Sequence, residues 1–418
     1  MGVVISLHLW IEDATGVSIQ ADDETVEYAV QLQRGRGSFT DNATASTLRV
    51  NILLGPPQDP DPFRGITAGA MIGVHLADAA GWMCPRFTGR VTDITLNHPQ
   101  EGPARAEVTA IGAVADIASR GVGFDEFPEQ RADQRVRDAA TRAGVPVLIQ
   151  DRVDAPDWTL TRREAKNESC QQVMEDAARS VGACIFDTTD GTVVFQDYQA
   201  RSSGLASAAR WDDMTHAWDT DTATWDEVVI KGTAQPPLLL PCDSVAYEPS
   251  WTQAVGTMAN DVTVKHATGE VDVSDSESTA RYGRRSLDVT TDLADPGDAV
   301  TRAGDLARAF GVPRWMLGNV EVVMNNLPPD ILEDLTTNEI IGRRVRVTDL
   351  PQPAPASSFY GICEGITETY TPGRWTATLA LTPQEMSYSV LTWEDTPPTY
   401  LWENARPSWQ DAIELADL

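Results

Sequence analysis

The sequence predicts an α+β fold that is mostly β: two similar β-barrel-like domains, a small α/β domain inserted into the first, and an extended C-terminal arm. Three observations carry this expectation. A set of three strands is written twice, the apolar spacing changes from alternation to a helical period between residues 131 and 181, and beyond Ser387 the composition shifts to Trp, Pro and acids.

The repeated stretch is Phe87-Thr88-Gly89-Arg90-Val91-Thr92-Asp93-Ile94-Thr95, and its second copy is Phe359-Tyr360-Gly361-Ile362-Cys363-Glu364-Gly365-Ile366-Thr367. Each reads as a strand with a glycine in third place, where a bulge or a barrel corner tolerates the missing side chain. Gly89 and Gly361 therefore define the repeat. The flanks agree: 69–76 and 341–347 alternate upstream, and 105–111 and 374–381 alternate downstream. Three strands in one order, about 270 residues apart, predict two copies of one small antiparallel unit.

In chain order, residues 3–12 and 26–34 read as strands, the second broken by Arg34-Gly35-Arg36-Gly37. A further strand, 44–54, ends at Gly55-Pro56-Pro57, where prolines cannot donate to a ladder. The first copy follows and closes near Ala118. From Arg131, the residues Val136, Ala139, Ala140 and Ala143 share one helical face that stops at Gly144. A second helix starts at the capping-box pattern of Ser169 and Gln172, carries Cys170, Val173, Met174, Ala177 and Val181 on one stripe, and ends at Gly182. Asp190-Gly191 between two apolar runs predicts a hairpin. These elements make 119–203 the inserted α/β domain.

Trp225 to Gly232 reads as the strand returning to the first domain, which is expected to comprise 1–118 and 204–236. The second domain, 237–387, contains a strand near Val262, a helix from Pro296 to Phe310 with Ala299, Ala303, Leu306, Ala307 and Phe310 on one face, a strand at 320–324, and the second copy at about 341–382. Residues 388–418 form the arm. Its Trp393, Trp402 and Trp409 sit among prolines and acids with no room for a core, so they are expected to contact a partner.

Charge excludes several functions. The 418 residues hold 32 Lys and Arg against 62 Asp and Glu, a net charge of −30, which repels nucleic acid and anionic lipid. Five cysteines, none in a C-x-x-C pair, make no disulfide framework and read as small buried apolar residues. No apolar run approaches the roughly 18 residues of a membrane span, and the N-terminus alternates like a strand. No catalytic, cofactor or metal site is expected. The five histidines lie far apart, Glu126 stands where the third glycine of a Gly121-Val122-Gly123 dinucleotide loop belongs, and Asp272 to Glu277 lacks the turn glycine of a calcium loop. Scattered acids leave one enzymatic alternative, a carboxylate pair acting on cell-wall glycan, with tryptophans stacking on sugar rings.

Taken in order, the Arg34-Gly35-Arg36-Gly37 run, Phe87 to Ile94, Asn260-Asp261-Val262-Thr263-Val264, Ser278 to Arg285 ahead of the Pro296 helix, and the Trp-acid tail resemble the minor tail proteins of long-tailed bacteriophages, in particular the tail-tip or baseplate hub proteins of actinobacterial phages. The resemblance implies a structural virion protein, made in the host cytoplasm and placed at the tail tip. Three chains, each with two barrel-like domains, would form a ring that continues the sixfold tail tube. It implies contacts with the distal tail protein, other tail-tip proteins and the tape-measure C-terminus, and passage of DNA past acidic walls without binding. No appended wall-degrading domain is expected.

Overall fold

The computed structural model describes residues 5–12, 18–21, 26–37, 45–54, 67–78, 83–97, 104–150, 158–164, 166–197, 237–245, 250–318, 320–337, 339–371 and 373–386. The expected return strand at 225–232 and the arm at 388–418 lie outside them.

The N-terminal strands are β1 (Ile5–Glu12), β2 (Ser18–Ala21), β3 (Val26–Gly35), β4 (Thr47–Leu53), β5 (Met71–Asp78), β6 (Met83–Asn97) and β7 (Arg105–Ile111). They pair antiparallel in the spatial order β3-β4-β7-β6-β5-β1-β2. Period-two alternation sets which face is dry: Leu48, Val50 and Ile52 of β4 lie beside Ala106, Val108 and Ala110 of β7, all buried, and the intervening residues are not.

A layer of mixed structure follows: α1 (Ala113–Ala118), β8 (Gln130–Arg131), α2 (Ala132–Ala143), β9 (Val147–Gln150), β10 (Thr159–Leu160), α3 (Cys170–Val181), β11 (Cys184–Asp187) and β12 (Val193–Gln196). Both longer helices stop at a left-handed glycine, Gly144 and Gly182. At the start of α3 the Ser169 hydroxyl accepts from the Gln172 amide at 3.2 Å, but the Gln172 side chain turns to Asp176 instead of back to the cap. Only half of the expected capping box forms, because the Gln172 side-chain amide donates forward to the Asp176 carboxylate in a charge-assisted bond and its oxygen is drawn away from the cap N–H. The Asp190-Gly191 hairpin joins β11 to β12.

The remainder comprises β13 (Leu238–Pro241), β14 (Trp251–Gln253), β15 (Asp261–His266), β16 (Gly269–Ser274), α4 (Ser276–Tyr282), β17 (Ser286–Thr290), α5 (Pro296–Phe310), β18 (Trp315–Leu317), β19 (Val320–Val323), α6 (Pro329–Thr337), β20 (Arg344–Thr348), β21 (Phe359–Thr371) and β22 (Arg374–Pro383). Asp275 caps α4 by accepting from the Ser278 amide at 2.9 Å, so the acidic run 272–277 closes a strand and opens a helix.

Two barrel-like domains were expected, and the described strands of both run into one another. Among the described residues no barrel closes; strands of both sets join one twelve-stranded sheet, with β14 and β18 pairing beside it. The reason is the length of β21. Its first half pairs with β20 and its second half pairs, on the same edge, with β3, so the later strands run directly into the earlier ones. One apolar core lies along this sheet, from Leu7 and Leu9 through Val108 to Trp375 and Leu379. A second core joins α1, α2 and α3 to β15 and α5. Helix α5 thus packs with the 113–197 layer, through Ala299, Ala303, Leu306 and Phe310. Backbone bonds fasten the two parts, Thr161 donating to the Asp292 carbonyl at 2.7 Å and Ala294 to that of Thr159 at 2.8 Å.

Candidate functional site

The two strand sets correspond in order and in register. The path β3-β4-β7-β6-β5-β1 is matched by β14, β18 with β19, β22, β21, β20 and β13. Gly89 faces Ile72 and Gly361 faces Val345. Arg90 pairs with Ile111, and Ile362, its counterpart one place after the glycine, pairs with Thr382. A bulge falls three places after each glycine, at Thr92 between the Val91 and Asp93 pairs and at Glu364 between the Cys363 and Gly365 pairs. Ahead of β5 and of β20 stands a left-handed glycine, Gly69 and Gly342, whose amide donates to the Val91 carbonyl at 2.8 Å and to that of Cys363 at 2.7 Å respectively. The outermost strands differ: β1 runs antiparallel to β5, whereas β13 runs parallel to β20.

Close approach accounts for the repeated glycines. A Cβ at Gly89 would stand 2.2 Å from the Ile111 carbonyl oxygen and 2.6 Å from the Phe87 ring, and one at Gly361 would stand 2.7 Å from the Phe359 ring and 3.2 Å from the Thr382 oxygen. In each set the phenylalanine two places earlier folds over the glycine.

The seam between the sets lies where β3 meets β21, Val30 to Gly35 against Tyr370 to Gly365. The arginine-glycine run sits here. Gly35, at φ +75°, passes so near the bulge that a Cβ would fall 2.3 Å from the Glu364 oxygen. On either side its arginines are buried and paired, Arg34 with Glu339 at 2.9 Å and Arg36 with Glu364 at 2.8 Å. Deeper in the core Arg86 of β6 meets Glu368 of β21 at 2.6 Å, and the Trp375 indole donates to the same carboxylate at 3.0 Å. Burial works against the Arg86 charge, but the Glu368 carboxylate outweighs it and holds the guanidinium above its ordinary value. These ions come from both strand sets, so each pair is complete only when the seam is closed.

Little else in the described residues has the form of a reactive site. No group of three or more His, Cys, Asp or Glu side chains among them is placed to hold a metal ion. Gly121 bridges to Ser169, so the expected non-phosphate loop is a tie between α1 and α3. Cys84, Cys170, Cys184 and Cys363 are buried, and burial pushes the Cys170 thiol up to about 11. Trp393, Trp402 and Trp409 lie outside the described residues. The seam itself was beyond sequence reasoning; the arginine-glycine run was its one visible sign.

No family model and no curated relative matches the sequence. Solved structures do match. The 43 kDa tail protein of prophage MuSo2 from Shewanella oneidensis has a TM-score of 0.59 at 14% identity, covering 91% of this chain and 99% of its own. A tail protein from Neisseria meningitidis MC58 has a TM-score of 0.59 at 12% identity over 91% and 98%. The fold is shared with prophage tail proteins. A third, gp18 of a Listeria monocytogenes EGD-e prophage, has a TM-score of 0.50 at 9% identity over 90% and 95%. Coverage near the full length of both partners means that the sheet and the mixed layer are shared together.

Proposed function

We propose that this chain is a structural component of a phage tail, a hub at the tail tip that assembles as a ring of three. The observation that carries the proposal is the in-register repetition of one strand set within a chain whose fold matches tail proteins along nearly its whole length. A ring of three chains with two equivalent strand sets each presents six similar surfaces, which suits a sixfold tube. The net charge of −30 fits a wall that lets DNA pass. In this reading 388–418 reaches a neighbouring tail-tip protein through Trp393, Trp402 and Trp409, and the distal tail protein and the tape-measure C-terminus are neighbours. The actinobacterial type rests on the sequence resemblance alone.

Antibody labelling of particles tests the proposal. Label at the end of the tail tube, with threefold symmetry in averaged images, is expected. Label along the tail shaft, or hydrolysis of cell-wall glycan by the purified chain, would count against it.

A further inference from the structure

The correspondence between the two strand sets is also incomplete along one strand edge. Strand β21 carries β20 along the first half of one edge and β3 along the second half, from Gly365 to Tyr370. Strand β6 carries β5 along the matching first half, ending at the Arg90 pair and the Val91 bonds to Gly69 and Ala70. Along its second half, Asp93 to Asn97, no strand among the described residues occupies that edge.

Exposure follows the difference. Glu364, Gly365, Ile366 and Glu368 are buried beneath the seam. Their counterparts Thr92, Asp93 and Leu96 are exposed and Ile94 is only half-buried, with Leu96 at 40%. An apolar side chain on an open strand edge is unusual, because such edges recruit further strands.

The counterpart of β3 is also open on its outer side. Val245 bridges to Val322, and Trp251 to Gln253 pair with Leu317 to Trp315, so this segment lies against β18 and β19 as β3 lies against β4. Among the described residues β14 pairs with β18 and no other strand, and Ser250, Thr252 and Gln253 are exposed. One chain thus offers a half-edge that lacks a β3-like strand, and a β3-like strand that lacks a half-edge.

We propose that the β6 edge of one copy takes the β14 segment of a second copy by antiparallel strand addition. The β3–β21 seam supplies the register. Carried across, it places Asp93 opposite Gln253, Ile94 opposite Thr252, Thr95 opposite Trp251 and Leu96 opposite Ser250. The two surfaces are different, so the contact is head-to-tail and propagates until it closes on itself. Closure at three copies rests on the hub reading above; the strand register does not.

Paired cysteines test the register in the full chain, with Cys242→Ser removing the half-buried thiol. Leu96→Cys with Ser250→Cys should oxidise to species of two and three chains on a denaturing gel. Leu96→Cys with Gln253→Cys, three places out of register, should lose those species, as should either single variant. Native mass of the uncross-linked chain is measured alongside. A three-chain mass without the in-register cross-link would overturn this inference and leave the hub reading standing. Equal cross-linking by both pairs would also overturn it. Single chains at every concentration, with no cross-link, would overturn the inference and the ring together.

Discussion

Arg86 and Glu368 stand 282 positions apart and meet in the driest part of the seam. Removing one member of such a pair leaves the other charge buried without its counter-ion, which costs about 3–5 kcal/mol. Glu368→Ala should therefore lower the denaturant midpoint sharply, and Arg86→Met with Glu368→Leu should recover much of the loss; a double variant as weak as the single one would contradict this. Asp187 offers a test in pH. It accepts from Ser46 and from the Val114 amide, yet burial raises its carboxyl above the ordinary value. The unfolded chain releases this proton at about 3.8 while the folded chain still holds it, so stability falls as pH rises from there through the folded value and levels off beyond. Melting temperatures of Asp187→Asn relative to the native chain should rise across that window; a difference constant with pH would refute the assignment. None of these pairings was legible in the sequence. Buried ions are matched by tertiary proximity, and a chain with 62 acids offers every arginine many partners.

Elements were more legible than their partners. Apolar stripes and end signals located α2, α3 and α5, because a helix announces itself within a dozen residues, and Asp190-Gly191 located its hairpin. The repeated strands were legible because each contains the same glycine under the same aromatic ring. What could not be read was where a sheet ends, since edge pairing depends on strands far away in the chain. Two barrel-like domains were expected, and among the described residues β21 carries strands of both into one sheet. The glycines now permit a graded prediction. At Gly89 an added Cβ meets the rigid Ile111 carbonyl at 2.2 Å, whereas at Gly361 the nearest atom belongs to a phenylalanine ring that can turn, and the Thr382 carbonyl stands off at 3.2 Å. Gly89→Ala should destabilise more than Gly361→Ala. Gly35→Ala should be the worst of the three, because its left-handed φ adds about 1–3 kcal/mol of strain to the clash with Glu364. Thermal unfolding of the three variants orders them; the reverse order for Gly89 and Gly361 would mean that the two backbones relax differently.

At the scale of the whole molecule the governing quantity is charge. Each chain carries −30, and a ring of three would bring such chains edge to edge, so Coulomb repulsion opposes assembly while strand pairing and apolar contact favour it. The β6 and β14 edges are mainly uncharged in their facing segments, Asp93 excepted, so the repulsion comes from the surrounding surface and acts over a distance. Salt screens such interactions strongly, with a Debye length of about 10 Å at 0.1 M and 3 Å at 1 M, and leaves short strand contacts largely intact. Raising the ionic strength should therefore shift purified chains toward the three-copy species. The purified chain is expected not to bind duplex DNA at any salt in the series, because a net charge of −30 repels phosphate. Native mass or sedimentation across a salt series, with and without duplex DNA, measures both. If added salt dissociates the oligomer, attraction between charges is holding it together and assembly by uncharged strand edges is wrong.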